Sequence, residues 1–163
     1  MNKNIKNAYF AGGCFWGVEY YFQNLPGVVS TKVGFMGGYT ENPTYDSVCS
    51  YSTGHAETVH ITYDQKIVTY ENLAKLFFEI HDPTQKNRQG PDIGEQYRSA
   101  IFFTDEDQED IAEKLVLQLE SNGLNIVTKV KPADTFWVAD DNHQRYYAKN
   151  GQMPYCHTRV KRF

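Results

Sequence analysis

The first 103 residues alternate as strand, helix, strand, strand, helix, strand, and this order predicts an α+β two-layer sandwich. It is the split βαβ, ferredoxin-like arrangement, a mixed or antiparallel sheet with helices packed on it. Three observations carry the prediction. Apolar residues alternate with period two over residues 55–63, and Leu73, Leu76, Phe77 and Ile80 recur at helical spacing. Clusters of Gly, Pro, Asn and Asp separate the segments. No linker, repeat or low-complexity stretch interrupts the 163 residues, so residues 1–163 are expected to form one domain with its own core.

The elements follow in order. Asn7-Ala8-Tyr9-Phe10-Ala11 is short, apolar and strand-like, and Val18 to Pro26 reads as a helix stopped at the proline. Between them stands Gly12-Gly13-Cys14-Phe15-Trp16-Gly17. Val28 to Met36 reads as the second strand, with Val29, Thr31, Val33 and Phe35 on one face. A turn-rich loop, Gly37 to Tyr45, leads to the strand His55–Tyr63, where Glu57, Val59, Ile61 and Tyr63 share a face. Thr69 caps a helix ending near His81, and the loop Thr84 to Gln96 leads to a fourth strand, Tyr97–Phe103. Thr104 is expected to cap a helix that starts acidic, with Ile111, Leu115 and Leu119 inward and a stop at Asn122-Gly123. Residues 126–131 and 136–138 read as short strands. From Asp140 the tail carries turn signals, with Asp141 and His143 read as structural.

Composition narrows the function. A net charge of −4 leaves no basic footprint for nucleic acid, and no apolar run is long enough to span a bilayer. Two lysines near the N-terminus are not followed by a hydrophobic segment, so no signal peptide is read there. Three cysteines, Cys14, Cys49 and Cys156, are an odd and sparse set, which fits a reducing cytoplasm better than a disulfide scaffold. A monomer is expected.

Cys14 falls at a strand-to-helix turn, where unpaired N–H groups and the positive end of the helix dipole favour an anion. That position favours the thiolate, the nucleophilic form. Two glycines are a poor way to build a core and a good way to present one atom. Glu57 is a carboxylate on an apolar strand face, which is unusual. Tyr45, Asp92 and Tyr97 lie in or beside the two long loops, and Phe15 and Trp16 form an aromatic wall suited to a small apolar group such as a methyl. Together these are a nucleophile, an acid, hydroxyl donors and a wall. No histidine neighbours Cys14 in the sequence, so no protease-like pair stands out.

Gly13-Cys14-Phe15-Trp16-Gly17, Asn42-Pro43-Thr44-Tyr45, Thr53-Gly54-His55-Ala56-Glu57 and Gln96-Tyr97-Arg98-Ser99 closely resemble peptide methionine sulfoxide reductase A. The resemblance runs from about Tyr9 to Phe102 and more loosely through Asp141-Asn142-His143-Gln144. Phe35, where the family often has tyrosine, and Pro91, where a polar residue is frequent, depart from it. The resemblance implies a two-layer α/β sandwich that reduces the S epimer of methionine sulfoxide, free or in proteins. It implies Cys14 as the nucleophile, Glu57 as the acid, Tyr45 and Tyr97 as hydroxyl donors and Asp92 as an ordering group. Phe15 and Trp16 would form the cage for the substrate methyl.

An ordinary glutamate, with a pKa of roughly 4.3, is protonated about once in several hundred molecules at neutral pH. A working acid at this position therefore needs a raised pKa, which burial beside Val59 and under Trp16 would supply. After the first step Cys14 is a sulfenic acid, which a second thiol can condense with. Cys156 and Cys49 are the candidates. Cys156 is favoured because its turn-rich tail suits it to reach a buried partner and its position resembles the family's resolving cysteine, whereas Cys49 reads as a packed structural thiol. No cofactor is expected beyond an external dithiol, thioredoxin in the resemblance. The rivals are a thiol peroxidase or disulfide exchanger, and a metal-binding module using Cys49, His55, His60, Cys156 and His157, whose spacing lacks paired zinc knuckles.

Overall fold

The chain is described by a computed structural model over residues 3–50, 52–152, 154 and 157–163. Its elements are β1 (Ile5–Gly12), α1 (Phe15–Phe22), β2 (Val28–Met36), α2 (Tyr45–Ser50), β3 (Ala56–Asp64) and α3 (Tyr70–Ile80). Then come β4 (Arg88–Gln89), β5 (Asp92–Ile93), β6 (Ser99–Phe103), α4 (Glu106–Ser121), β7 (Lys129–Pro132), β8 (Trp137–Val138) and α5 (Tyr146–Asn150). Six strands form one sheet in the order β7-β6-β1-β3-β2-β8, and β4 pairs with β5 as a separate ribbon. The inner four, β6-β1-β3-β2, pair antiparallel in the split βαβ order, while β7 adds in parallel to β6. The expected mixed sheet with packed helices is the observed fold.

The pleat divides the sheet faces cleanly. Phe10, Val33, Phe35, Val59 and Ile61 are fully buried in one core with Phe22 of α1, Leu73 and Phe77 of α3, and Leu115 and Leu119 of α4. The opposite face carries the smaller cluster Ala11, Met36, Ala56, Ala100 and Phe102, with Tyr9, Ala133 and Phe136 packed against it. One buried polar chain ties the end of α3 to β6. His81 donates from Nδ1 to the Phe77 carbonyl (2.7 Å), and its Nε2 meets the Ser99 hydroxyl (2.7 Å). Burial pushes the His81 pKa down to about 3, so the ring stays neutral and Nε2 accepts from Ser99. A Cβ on Gly12 would stand 2.9 Å from Phe77 and 3.1 Å from His81, so the glycine lets α3 press against the end of β1.

Several boundaries differ from the sequence reading. α1 begins at Phe15, with Cys14 as its N-cap, and ends at Phe22 before Pro26. Residues 45–50 form a short helix rather than the end of a loop. A register irregularity between Val28 and Ser30 takes Val29 out of the alternation and leaves it 61% exposed. β6 begins at Ser99, because Glu95–Tyr97 makes a 3-10 turn first. The cap of α4 is Asp105, which accepts from the Gln108 N–H (2.8 Å), while Gln108 Oε1 accepts from the Thr104 N–H (2.9 Å). The pair is a reciprocal cap shifted by one residue from the Thr104 expected.

That shift predicts a ranking. Asp105→Ala should lower unfolding free energy by about 1 kcal/mol in urea denaturation. Thr104→Ala should change it by less than about 0.5 kcal/mol. The reverse order would return the cap to Thr104.

Candidate active site

Cys14 leaves β1 through Gly13, whose φ is +96° and whose place a Cβ could take only at 2.7 Å from the Gln89 side chain. Only glycine turns there without strain. The Cys14 carbonyl accepts from the N–H groups of Gly17 (3.1 Å) and Val18 (3.3 Å), which seats the residue at the head of α1, 6% exposed. β3 supplies the partner. Glu57, 1% exposed and opposite Phe35 in register, turns its carboxyl to that helix end, where Oε1 accepts the Phe15 N–H at 3.1 Å. Glu57 Oε2 is buried and has no hydrogen-bond partner among the described residues.

Burial holds the Glu57 pKa well above the ordinary carboxyl value. The negative charge of Cys14 adds to this, the Phe15 N–H opposes it, and Asp92 raises it further. With Oε1 accepting from Phe15, Oε2 is the oxygen left to carry the proton of neutral Glu57. A negative charge on Cys14 thus disfavours ionisation of Glu57.

Tyr45 opens α2 and Tyr97 closes the 3-10 turn before β6, and both are half-buried. Burial first, then the charge of Glu57, raises both phenols, so they remain O–H donors at neutral pH. Asp92 on β5 adds to the upward shifts of Glu57 and Tyr97, which places it in the same group. The structure thus brings together Cys14, Tyr45, Glu57, Asp92 and Tyr97. Cys156 lies outside the described residues. Cys49 stands on α2, exposed rather than packed away. Its sulfur hydrogen-bonds with the Tyr45 and Tyr97 hydroxyls, and partial burial together with Glu57 pushes the thiol pKa up.

The aromatic wall is larger than Phe15 and Trp16. Phe15 has no exposed surface and packs on Phe35 with ring centroids 5.6 Å apart, so its support on β2 is wholly apolar. Trp16 carries the exposed part. It stacks on Tyr146 (3.9 Å) and donates from Nε1 to His143 Nδ1 (3.3 Å), and His143 stacks on Tyr45 (4.5 Å). The segment bearing His143 and Tyr146 is fixed by Glu19, a buried carboxylate on α1. Glu19 accepts from the Arg145 N–H (2.7 Å) and the Thr31 hydroxyl (2.8 Å). Gln144 clips the same segment to β2, exchanging hydrogen bonds with the N–H (2.8 Å) and carbonyl (2.9 Å) of Val33. Sequence reading missed Tyr146 and gave His143 only a structural part. The one available signal was a His, Gln and two tyrosines in a stretch with no apolar period.

A histidine does approach the Cys14 turn, although none neighbours it in sequence. His157, 1% exposed, meets the Gly12 carbonyl through Nε2 at 2.7 Å, and Tyr21 donates to the His157 carbonyl at 3.1 Å. The metal-binding alternative finds no support among the described residues. His55 spends both ring nitrogens on Gly38 N–H (3.0 Å) and the Thr40 carbonyl (2.8 Å), and no group of three metal-ligating side chains occurs there. Nor is any helix long and apolar enough to cross a membrane among those residues.

Comparisons with known proteins show which family the chain resembles. The family model described as Peptide methionine sulfoxide reductase matches residues 6–163. A "Peptide methionine sulfoxide reductase MsrA" from Nautilia profundicola is 50% identical over 152 residues, covering 93% of this chain and 88% of that protein. The reduced form of Mxr1 from Saccharomyces cerevisiae superposes with a TM-score of 0.91 at 33% identity, covering 100% of this chain and 95% of the other. The same yeast protein in complex with Trx2 gives 0.65 at 25% identity, covering 100% and 94%.

The Glu57 environment sets a pH signature. A carboxyl with a folded pKa above its unfolded value costs stability that is absent below the unfolded pKa and grows as pH rises through the folded one. Glu57→Gln removes that cost, so thermal denaturation should show the variant gaining on the wild type as pH goes from 4.5 to 8. A constant gap would mean an ordinary pKa.

Proposed function

The chain belongs to the peptide methionine sulfoxide reductase family, and from that premise we propose that residues 1–163 form one reductase domain. It returns the S epimer of methionine sulfoxide, free or within proteins, to methionine. The observation that carries the reading is the buried Glu57 carboxyl, held by one oxygen on the Phe15 N–H with the other unpartnered among the described residues, beside Cys14.

A sulfoxide oxygen leaves poorly unless it is protonated as charge grows on it. The Cys14 thiolate attacks the sulfoxide sulfur while Glu57 Oε2 delivers its proton to the oxygen. The sulfoxide S–O bond and the transient bond between the two sulfurs then break as the hydroxyl passes to the Cys14 sulfur, leaving Glu57 as the carboxylate. Tyr45 and Tyr97 donate hydrogen bonds to that oxygen, and Asp92 helps to keep the Glu57 proton in place. Trp16, backed by Phe15, encloses the methyl group. The oxygen ends on Cys14 as a sulfenic acid and the thioether departs as methionine. The Cys156 thiol then displaces hydroxide from the Cys14 sulfur, giving water and a disulfide, and an external dithiol of the thioredoxin kind reopens it. The domain needs no other cofactor for this cycle, and the sparse cysteine set fits a reducing cytoplasm. A peroxidase would use the same thiolate but would have no need of the aromatic wall.

Cys14→Ser should abolish turnover of the S epimer, and wild type should reduce neither the R epimer nor hydrogen peroxide at a comparable rate. Glu57→Gln should slow release of the first methionine by about 100-fold or more. Mass mapping after substrate without reductant should find a Cys14–Cys156 disulfide. A Cys14–Cys49 link, or none, would overturn the second half of the cycle.

A further inference from the structure

The sheet face opposite the main core carries charge that the sulfoxide step does not use. Arg98 follows Tyr97, and its extended backbone (φ −68°, ψ 157°) continues the β6 alternation outward, so Arg98, Ala100 and Phe102 share a face. In the parallel register Ala100 stands beside Lys129 and Phe102 beside Lys131, which puts both lysines on that face too. The result is a cleft of about 350 Å³ lined by these five residues. At Arg98 and Lys129 it joins a second cleft, of about 270 Å³, that Lys86 also lines. A Cβ on Gly37 would lie 3.1 Å from Arg98 Nη2 and 2.8 Å from Phe102, so the glycine leaves room for the guanidinium. Nη1 donates to the Glu95 carbonyl (3.0 Å). The two clefts together hold four cations, Lys86, Arg98, Lys129 and Lys131, against one carboxylate, Asp134. No carboxylate among the described residues forms an ion pair with any of the four. On a chain of net charge −4 this is a local reversal of sign. Lysines on an edge strand such as β7 also serve to block sheet pairing. Arg98 is not on that edge, and a partly buried cation without a carboxylate calls for an anion.

We propose that this cationic cleft, from Arg98 along Lys129 and Lys131, binds an acidic segment of an oxidised polypeptide beside its methionine sulfoxide. The inference rests on the reductase reading above. Its placement follows from the sheet. The ends of β1 and β2 and the starts of β3 and β6 lie at one end of it, where Cys14, Glu57 and Tyr97 also sit. Arg98 and Gly37 stand at that same end, so the cleft starts there and runs away along β6 and β7. Arg98 to Phe102 spans about 13 Å, enough for about four residues of extended chain. A polypeptide has such residues to lay along the cleft, and free methionine sulfoxide has none. Asp and Glu side chains match the occupants the cations call for, because a carboxylate can take a forked pair of hydrogen bonds from a guanidinium and single ones from lysines. Asp134, past the end of β7, is the one lining group that opposes them.

Three peptides test this, each with one methionine sulfoxide flanked on both sides by runs of Glu, of Gln or of Lys. The readout is methionine formed in a single turnover without reductant, over a range of peptide concentrations. Wild type should react with the Glu peptide at a second-order rate constant about tenfold above that for the Gln peptide, and with the Lys peptide more slowly than either. Salt at about 0.5 M should erase the ranking. Lys129→Glu combined with Lys131→Glu, at exposed positions outside the proposed machinery, should abolish or reverse it and leave the rate on free methionine sulfoxide as in wild type. The corresponding pair of Lys→Gln changes should fall between. Equal rate constants for the three peptides in wild type, or an undiminished preference in the charge-reversed variant, overturn the inference. So does a defect seen only in steady-state turnover with a dithiol, which would assign the cleft to the reductant. Free methionine sulfoxide separates the two claims. If wild type does not reduce it, the reductase reading fails and takes the inference with it; if it is reduced while the peptides show no ranking, the inference fails alone.

Discussion

One hydrogen bond organises the site: the Phe15 N–H donates to Glu57 Oε1, joining the head of α1 to the buried end of β3. It is a small interaction, but it uses the first amide of α1 on a carboxyl and leaves the other Glu57 oxygen to carry the proton. Both residues of this join are buried, and Phe35, opposite Glu57 in register, packs on Phe15 in the same core as Phe10 and Val59. Burial of Glu57 opposes ionisation more strongly than the Phe15 amide favours it, so the carboxyl holds its proton to a higher pH than an ordinary glutamate. A charged carboxyl at this buried strand position is thus a cost to stability.

Much of this was legible in the sequence because it rests on local rules. Alternation on β3 and the Leu73, Leu76, Phe77, Ile80 spacing on α3 are local patterns, and they specify faces independently of partners. Glu57 stood out because it broke the polarity of its own face, and Cys14 because glycines surround it. The α4 cap moved by one residue because Thr104 and Asp105 are both good caps, and only the position of Gln108 chooses between them.

What the sequence hid is what depends on distant pairings. Trp16 finds His143 127 positions away, Glu19 finds Arg145 126 away, and His157 finds Gly12 145 away. None of these partners sits in a periodic segment, so no local pattern marks them. Tyr45 is similar: its loop reads as turn-rich, and the helix there is stitched by Thr44 and Ser47 side chains that could equally serve a turn. The tail reads only as turn-rich from Asp140 onward, yet Glu79 binds Arg159 and anchors it to α3.

The two halves of the proposed cycle therefore rest on different parts of the chain. The sulfoxide step is built from β1, α1, α2, β3 and the loop before β6, and the regeneration step is added from the C-terminal end. The measurement that addresses the first half most directly is a carbon-13 NMR titration of the Glu57 carboxyl in the reduced enzyme. A midpoint well above 4.5 that falls when Cys14 is replaced by Ala is the predicted result, since burial and the thiolate both hold the proton on. A midpoint at the ordinary glutamate value, indifferent to Cys14, would contradict the account.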